Sequence, residues 1–133
     1  MTYQLSFERL IQNKSKDSVV LPVLLRLGER TTSFDAQIDT GASFCIFRRV
    51  LGEDLGIEIE TGIREQINTV TGSFIAYGHQ LTVSVLELDF EAYVYFAEHG
   101  QFTRNVLGRT GWLDRVKLGI VYHDSEVYLS SYD

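Results

Sequence analysis

The sequence predicts a mostly β protein. Short segments rich in Val, Ile, Tyr, Phe and Thr recur along its 133 residues, and glycine-containing turns separate them. Several segments alternate apolar and polar side chains, as a strand does when one face packs on a core. Apolar residues make up 44% of the chain and charged residues 23%, which is typical of one globular domain, residues 1–133, whose core needs no disulfide.

The first half of the chain contains a predicted hairpin that leads into a polar turn. Thr2 to Leu10 alternates weakly and is expected to form a strand. Val19 to Leu27 and Thr32 to Ile38 are stronger candidates, paired across a glycine-containing turn. Phe47 to Leu55 is expected to form a short helical or turn segment.

Two more hairpins are predicted in the centre of the chain. Glu65 to Tyr77 is expected to turn near Thr71-Gly72. Gln80 to Leu88 then pairs with Phe90 to Ala97 across a tight turn at Glu87 to Asp89.

One short C-terminal helix and a last hairpin complete the prediction. Arg109 to Val116 is the best helix candidate, because Trp112 and two other apolar residues share one side of it. Trp112 is expected to be a core or interface aromatic. Lys117 to Tyr122 and Glu126 to Ser130 form the hairpin.

A faint internal repeat suggests a pseudo-twofold fold. Ser33 to Ile38 is similar to Asp89 to Val94, and each follows an apolar strand and a tight turn. A glycine-containing turn follows each copy, Asp39-Thr40-Gly41 in the first half and Val106-Leu107-Gly108 in the second. The chain is therefore expected to contain two similar halves.

Composition and motif spacing exclude several classes of function. The net charge is −6 and no basic cluster occurs, so nucleic-acid binding is not expected. The longest apolar run is too short to span a bilayer and no signal pattern is present, which favours a cytoplasmic location. The histidines are scattered, so neither a metal site nor a cofactor is expected. Cys45 lies between Phe44 and Ile46, which favours a buried residue over a reactive thiol.

The turn from Asp39 to Ser43 is the strongest candidate for chemistry. An apolar strand ends in a carboxylate, and a hydroxyl, a glycine and two small residues follow it. Gly41 permits close approach of a ligand to the backbone, and Ala42 leaves space beside the carboxylate. By itself the tripeptide Asp39-Thr40-Gly41 is also typical of an ordinary β-turn.

The order of the motifs resembles that of the retropepsin-like aspartic peptidases, the group that includes retroviral proteases. Asp39-Thr40-Gly41 follows a hairpin, Val70 to Phe74 forms the tip of a second hairpin, and Val106-Leu107-Gly108 opens onto Arg109. The resemblance covers residues 19–122. It implies an acid-protease β-barrel in which Asp39 is catalytic, the central hairpin is a flap, and the apolar-apolar-Gly turn supports the catalytic loop.

The resemblance also implies a symmetric homodimer that hydrolyses peptides or proteins. The sequence has a single Asp-Thr-Gly triplet, and Asp54-Leu55-Gly56 lacks the small hydroxyl residue. A general acid and a general base are both needed, so a second copy has to supply the other Asp39. Thr40 would hold the loop across the dimer axis and Gly41 would present backbone groups to the substrate. The implied substrate-binding residues are Gly41, Ala42, Val70, Thr71, Gly72, Ser73, Val106 and Leu107.

Two positions depart from the family pattern. Ser43 stands where retroviral proteases carry an acid that pairs with the arginine after the apolar-apolar-Gly turn, here Arg109. Asp114 or an acid near the chain end is the alternative partner. The flap candidate has one glycine, Gly72, where retroviral flaps have several.

Alternative functions and the dimer contacts complete the expectations. A retropepsin-like module without useful peptidase activity, kept for dimerisation or peptide binding, is one alternative. An unrelated small β-barrel in which the triplet is only a turn is another. If the dimer forms, Tyr3 to Phe7 and Val127 to Ser130 are expected to be its interface strands, since unpaired they would leave apolar sheet edges exposed.

Overall fold

The computed structural model describes residues 1–132, most of which lie in strands. Their strands are β1 (Arg9–Gln12), β2 (Val20–Leu27), β3 (Arg30–Ile38), β4 (Ile46–Phe47), β5 (Ile63–Thr69), β6 (Gly72–Val85), β7 (Leu88–Ala97), β8 (Val106–Leu107), β9 (Val116–Val121) and β10 (Glu126–Ser131). The α-helical segment α1 spans Arg49–Asp54. Short 3-10 turns lie at Ile59–Thr61, Leu113–Arg115 and Tyr122–Asp124.

The strands form two sheets. Seven strands follow the order β2-β3-β8-β4-β7-β6-β5, and β1-β10-β9 form a smaller sheet. β2 also pairs with β6, through Leu24 to Arg26 against Thr82 to Ser84. This extra pairing brings the two long hairpins of the large sheet into contact along their edges.

Apart from the edge strand β5, which has no counterpart, the strand order of the large sheet is symmetric about its two shortest strands. β8 runs parallel to β3, with Gln37 opposite Val106, and β4 runs parallel to β7, with Ile46 opposite Tyr95. β8 and β4 are antiparallel neighbours at the centre. Exchange of the β2–β3 hairpin with the β6–β7 hairpin leaves this order unchanged. The symmetry concerns strand pairing, and the internal sequence repeat stays a prediction.

Strand alternation explains the position of the core. Leu21, Val23 and Leu25 on β2 have exposed fractions of 0–2%, while the residues between them face outward or are half-buried. Burying such side chains contributes roughly 1.5–3 kcal/mol each. Trp112 is fully buried in the same cluster, which confirms its prediction as a core aromatic.

Most of the predicted hairpins are confirmed. The β2–β3 and β9–β10 hairpins form where expected, and α1 lies within the predicted segment Phe47 to Leu55. The β5–β6 hairpin turns at Val70-Thr71, one residue earlier than predicted. The β6–β7 turn is Leu86-Glu87, where both residues have positive φ, as a tight two-residue hairpin requires.

The predicted helix from Arg109 to Val116 is wrong. The segment contains a 3-10 turn at Leu113–Arg115 and no α-helix. Gly111 has a φ of +108°, which is incompatible with a right-handed helix. The burial of Trp112 holds the segment in this bent path, so the apolar residues that suggested a helical face instead follow a turn.

The predictions for the two terminal segments need correction. The first strand begins at Arg9, not Thr2, and the side chains of Tyr3 and Leu5 are exposed. Val127 to Ser130 belong to β10, which lies between β1 and β9 and is paired on both sides. They are therefore not an exposed edge, which a dimer contact through this strand would have required.

Among residues 1–132, no helix is both long enough and apolar enough to cross a membrane.

Candidate active site

The loop that carries Asp39, residues 39–45, begins where β3 ends. The parallel pairing of β3 with β8 places Leu107 beside this point, and the Asp39 N–H donates to the Leu107 carbonyl at 3.0 Å. The Ala42 N–H donates to the Asp39 carbonyl at 3.2 Å and closes the turn. The backbone of this Asp39 loop is therefore fixed from beneath by the second half of the chain.

The two carboxylate oxygens of Asp39 have different surroundings. Oδ1 accepts a hydrogen bond from the Gly41 N–H at 2.9 Å. A Cβ at Gly41 would lie 3.3 Å from that oxygen, so glycine leaves the carboxylate room to approach the backbone. Oδ2 lies 3.6 Å from Nη2 of Arg104, and the side chain of Asp39 is 31% exposed. Oδ2 therefore faces the Arg104 guanidinium and accepts no hydrogen bond from residues 1–132.

Gly108 and Arg109 clamp the Asp39 loop. A Cβ at Gly108 would overlap the carbonyl of Phe44, so the two backbones touch without space for a side chain. The Arg109 N–H donates to the Ala42 carbonyl at 2.9 Å. The Arg109 guanidinium donates to the Thr40 carbonyl through Nη1, a contact of 3.1 Å.

The side-chain partner of Arg109 is Ser43. The Nη2 of Arg109 donates to the Ser43 hydroxyl at 3.1 Å. Ser43 therefore makes the contact with Arg109 although it is not an acid. The Asp114 carboxylate instead accepts a hydrogen bond from the Gly111 N–H at 3.0 Å. The expectation that Asp114 replaces the usual acid is therefore wrong, and the acid at the chain end, Asp133, lies outside the described residues.

A second loop, residues 98–105, faces the first and follows β7. Its start is held by the Tyr77 hydroxyl, which donates to Oε2 of Glu98 at 2.9 Å. Its end is held by Asn105, whose side-chain oxygen accepts from the Arg48 N–H at 2.9 Å. Between them, Phe102 packs on Phe74 of β6 with ring centroids 4.8 Å apart. We call residues 98–105 the Arg104 loop.

A cleft of about 490 Å³ lies between the two loops and the β5–β6 hairpin. Its lining residues are Asp39, Gly41, Ala42, Ser43, Phe44, Ile46, Gln66, Ile67, Asn68, Thr69, Val70, Phe74, Phe102, Arg104 and Val106. Except for the exposed Val70, its apolar members pack in one small cluster with Ala76 and Tyr95. The Phe44 and Tyr95 rings meet with centroids 4.7 Å apart and form part of the floor.

The structure brings some of the predicted site residues together and leaves others apart. Gly41, Ala42, Val70 and Val106 line the cleft with Asp39. The remaining predicted residues do not line it. Among them, Thr71, Gly72 and Ser73 are exposed at the hairpin tip, Thr40 is exposed beside the loop, and Leu107 is fully buried.

The position of Leu107 assigns it a different role from Val106. Its carbonyl supports Asp39, while its side chain belongs to the core beneath the loop. A side chain with 0% exposure offers no surface to a substrate in this conformation. The contact surface of this turn is therefore Val106.

Sequence reasoning missed Arg104 and Phe102. Both belong to the Arg104 loop, whose residues follow no spacing pattern. The predicted repeat paired the Asp39 turn with Val106-Leu107-Gly108 and so gave no signal for this loop. In the strand order, the loop after β7 does correspond to the Asp39 loop after β3. That correspondence predicts proximity to the cleft and says nothing about which side chain enters it.

The only cysteine, Cys45, lies behind the floor of the cleft. Burial raises the pKa of its thiol from 9.0 to about 12, so the nucleophilic thiolate is suppressed at neutral pH. This agrees with its prediction as a buried residue. Within residues 1–132, no three His, Cys, Asp or Glu side chains are grouped closely enough to hold a metal ion.

No protein-family model and no curated protein matches the sequence. Among solved structures, EIAV protease complexed with the inhibitor HBY-793 matches with a TM-score of 0.55 and 18% sequence identity. The match covers 74% of this chain and 88% of that protein. The chain has a retropepsin-like fold. At this identity the likeness concerns the retropepsin-like fold alone, and the chemistry has to be argued from the residues of the cleft.

Proposed function

We propose that this protein is an aspartic endopeptidase whose active site forms when two copies of the chain bring their Asp39 carboxylates together. The position of Asp39 carries the proposal. Its carboxylate lies in a largely apolar cleft on a retropepsin-like fold, with Oδ1 held by the Gly41 N–H and Oδ2 free of hydrogen bonds from residues 1–132. EIAV protease, which has this fold, is a protease solved in complex with an inhibitor, and this supports the same reaction class here.

In the proposed mechanism the two carboxylates share one proton, because like charges in contact cannot both ionise easily. The ionised carboxylate takes a proton from a water, and the water oxygen bonds to the peptide carbonyl carbon. The protonated carboxyl donates its proton to the carbonyl oxygen. The C–N bond then breaks as the leaving nitrogen receives a proton. Within each carboxylate the Gly41 N–H holds Oδ1, which leaves Oδ2 as the oxygen that takes part in the reaction.

A second copy is required because one chain supplies one carboxylate to the cleft. Exposed apolar side chains near the N-terminus support an interface there, and Met1, Tyr3 and Leu5 are 74–104% exposed. Leu10 and Ile120, on the two edge strands of the small sheet, add exposed apolar surface. Thr40 is exposed beside Asp39, and its hydroxyl has no hydrogen-bond partner among residues 1–132, so it is available to the partner loop.

The proposed substrate is an extended peptide that lies between the β5–β6 hairpin and the floor of the cleft. Val70, at the tip of the hairpin, is fully exposed, and Thr69 closes the turn through a 2.9 Å hydrogen bond to the Gly72 carbonyl. The hairpin would cover the peptide as a flap, with Gly41 presenting backbone groups from below. Because the walls are apolar, bulky apolar or aromatic residues are expected at the cut.

The remaining features of the proposal concern the whole chain. Residues 1–133 would form one domain, and the β2–β6 pairing would close the large sheet as an acid-protease barrel. The symmetric strand order supports a pseudo-twofold relation between the two halves.

The experiment is cleavage of a mixed peptide library across pH. Activity should be highest at acidic or mildly acidic pH, since one carboxyl has to keep its proton. It should resist chelators and serine or cysteine reagents, and a transition-state mimic such as pepstatin should inhibit it. Activity that rises steadily into alkaline pH, or that chelators abolish, would show that the chemistry is of another kind.

A further inference from the structure

The proposed reaction leaves one charged residue of the cleft without a role. Of the residues that line the cleft, Asp39 is the one acid and Arg104 is the one base. The side chain of Arg104 is 58% exposed, so its guanidinium is accessible from the open side of the cleft. A positive charge at this position changes the electrostatic potential that acts on every ligand in the cleft.

The contacts of Arg104 are few and long. Its Nη2 lies 3.6 Å from Oδ2 of Asp39, which is beyond hydrogen-bond distance. Among residues 1–132 its guanidinium makes no hydrogen bond. The guanidinium of Arg109, five residues further along the chain, is bonded differently, because both of its terminal nitrogens donate to the Asp39 loop. Arg109 is therefore a structural clamp, whereas the donors of Arg104 remain available.

The reaction itself requires Arg104 to move. The Gly41 N–H holds Oδ1, so the water and the partner's carboxylate have to approach through Oδ2, where the guanidinium now lies. An exposed arginine side chain can turn about several bonds at small cost. Once turned, its donors are open to another anion, and Asp39, the one acid that each chain gives to the cleft, is engaged in the reaction in both copies. The substrate is the remaining source of a carboxylate.

We propose that Arg104 is a specificity-determining residue, which binds the carboxylate of a Glu or Asp side chain of the substrate in a subsite beside the scissile bond. This inference rests on the proposed function. The planar guanidinium matches a carboxylate with two parallel N–H donors. Phe102 and Phe74 form an adjacent apolar wall that suits the methylene groups of a glutamate. Since a symmetric dimer carries two copies of Arg104, the acid can occupy a flanking subsite on either side of the apolar residues at the cut.

The test uses matched peptides that differ at single positions flanking the cut, with Glu, Gln or Lys at each. Cleavage of each peptide is measured with the wild type, Arg104→Glu and Arg104→Lys. The control is Arg30→Glu, which makes the same charge change at the far end of β3, roughly 30 Å from Asp39 at 3.3 Å per residue. Binding of reduced-amide versions of the same peptides, which cannot be cut, is measured in parallel by calorimetry.

At one or more positions the wild type should prefer Glu over Gln by about tenfold in both kcat/KM and affinity. Arg104→Glu should reverse the order in favour of Lys, Arg104→Lys should give a smaller preference for Glu, and Arg30→Glu should behave as the wild type. The preference should shrink as salt is added.

The outcomes separate this inference from the proposed function. Cleavage with the same Glu-to-Gln ratio in the wild type and Arg104→Glu would overturn the inference and leave the peptidase intact. Binding of Glu peptides that depends on Arg104, without cleavage of any peptide, would overturn the peptidase and keep the inference. Failure of every peptide both to bind and to be cut would overturn both.

Discussion

The Asp39 loop and the Arg104 loop take corresponding places in the strand order but bring opposite charges to the cleft. Each follows the second strand of a long hairpin and leads into a two-residue central strand. The first supplies a carboxylate, and the second supplies a guanidinium that lies 3.6 Å from it. An acid-base pair therefore cannot be assembled from the two loops of one chain, which is the structural basis for proposing a second copy.

The two loops are also held in different ways. The Asp39 loop is fixed by backbone contacts, since Gly108 touches the Phe44 carbonyl and the Arg109 N–H bonds the Ala42 carbonyl. The Arg104 loop is bonded to neighbouring strands near its two ends, where the Glu98 N–H donates to the Ile75 carbonyl and the Gln37 N–H donates to the Asn105 carbonyl. The side chains of Glu98 and Asn105 add one hydrogen bond each at the same ends. A loop held by close backbone contact tolerates substitution poorly, whereas a loop anchored at its ends leaves its middle residues free to serve specificity.

The largest expected effect is on activity, from Asp39→Asn. Each active site would lose both carboxylates, so cleavage should fall by at least about a thousandfold. Asp35→Asn is the matched control, because it removes an exposed carboxylate from the same strand. Initial rates on one peptide and a thermal unfolding scan of all three proteins check the prediction. Undiminished cleavage by Asp39→Asn would remove the aspartic mechanism.

The next largest effect is expected on stability, from substitution of Gly108, which touches the Asp39 loop, in comparison with Gly100 of the Arg104 loop. Gly108→Ala forces a Cβ into the Phe44 carbonyl and should lower the free energy of unfolding by about 3 kcal/mol or more. Gly100→Ala in the Arg104 loop meets nothing within 4 Å and should change it by less than about 1 kcal/mol. Urea unfolding of both variants gives the two values. Equal values would show that the loops are not held differently.

Deletion of residues 1–5 tests the proposed interface. Phe7 stays in contact with Tyr128, at 5.6 Å between centroids, so the small sheet should keep its fold. Dimer affinity should fall by about tenfold or more, and activity should drop faster than linearly on dilution. Sedimentation and dilution assays measure the two. Val50→Ser, which removes an exposed apolar side chain on α1, should change neither. A monomer that keeps full activity would reject the shared active site.

A smaller effect is expected from Ser43→Asp, which gives Arg109 a carboxylate in place of the hydroxyl that it now contacts. The free energy of unfolding should rise by about 0.5 kcal/mol, because the ion pair is exposed. Ser43→Asn keeps the size and lacks the charge, so it should not produce the gain. Chemical unfolding at low and high salt provides the measurement, and a gain that persists at high salt would speak against an ion pair.

The smallest effect concerns Cys45, buried on the same loop on which Ser43 is exposed. Since burial raises its pKa to about 12, native protein should resist alkylation at pH 8 and react once it is unfolded. A Ser43→Cys variant should react at its new thiol under native conditions. The same shift means that this thiol's contribution to stability is present below pH 9.0 and is lost as pH rises towards 12. Mass spectrometry of labelled protein checks the alkylation, and rapid labelling of Cys45 in the native protein would contradict the prediction.

The sequence by itself determined the mostly β character, the positions of the hairpins and the loop that carries Asp39. Alternation and turn residues act over a few positions, so they can be read without knowledge of distant contacts. For the same reason the segment Lys117 to Ser130 was predicted correctly as a hairpin, while the position of its second strand, β10, between β9 and β1 was not. Which strand lies at an edge depends on how β1 returns to β10 from the other end of the chain.

The tertiary structure alone decided the features that depend on such distant contacts. The apolar residues around Trp112 suggested a helix, but their burial together with the positive φ of Gly111 produced a turn, because packing outweighs weak local propensity. The meeting of Arg104 with Asp39 had no signal in the spacing of residues. It arises because the parallel pairing of β3 with β8 places the Arg104 loop beside the carboxylate. Local patterns therefore identified the carboxylate, while long-range strand pairing determined the charge that it faces.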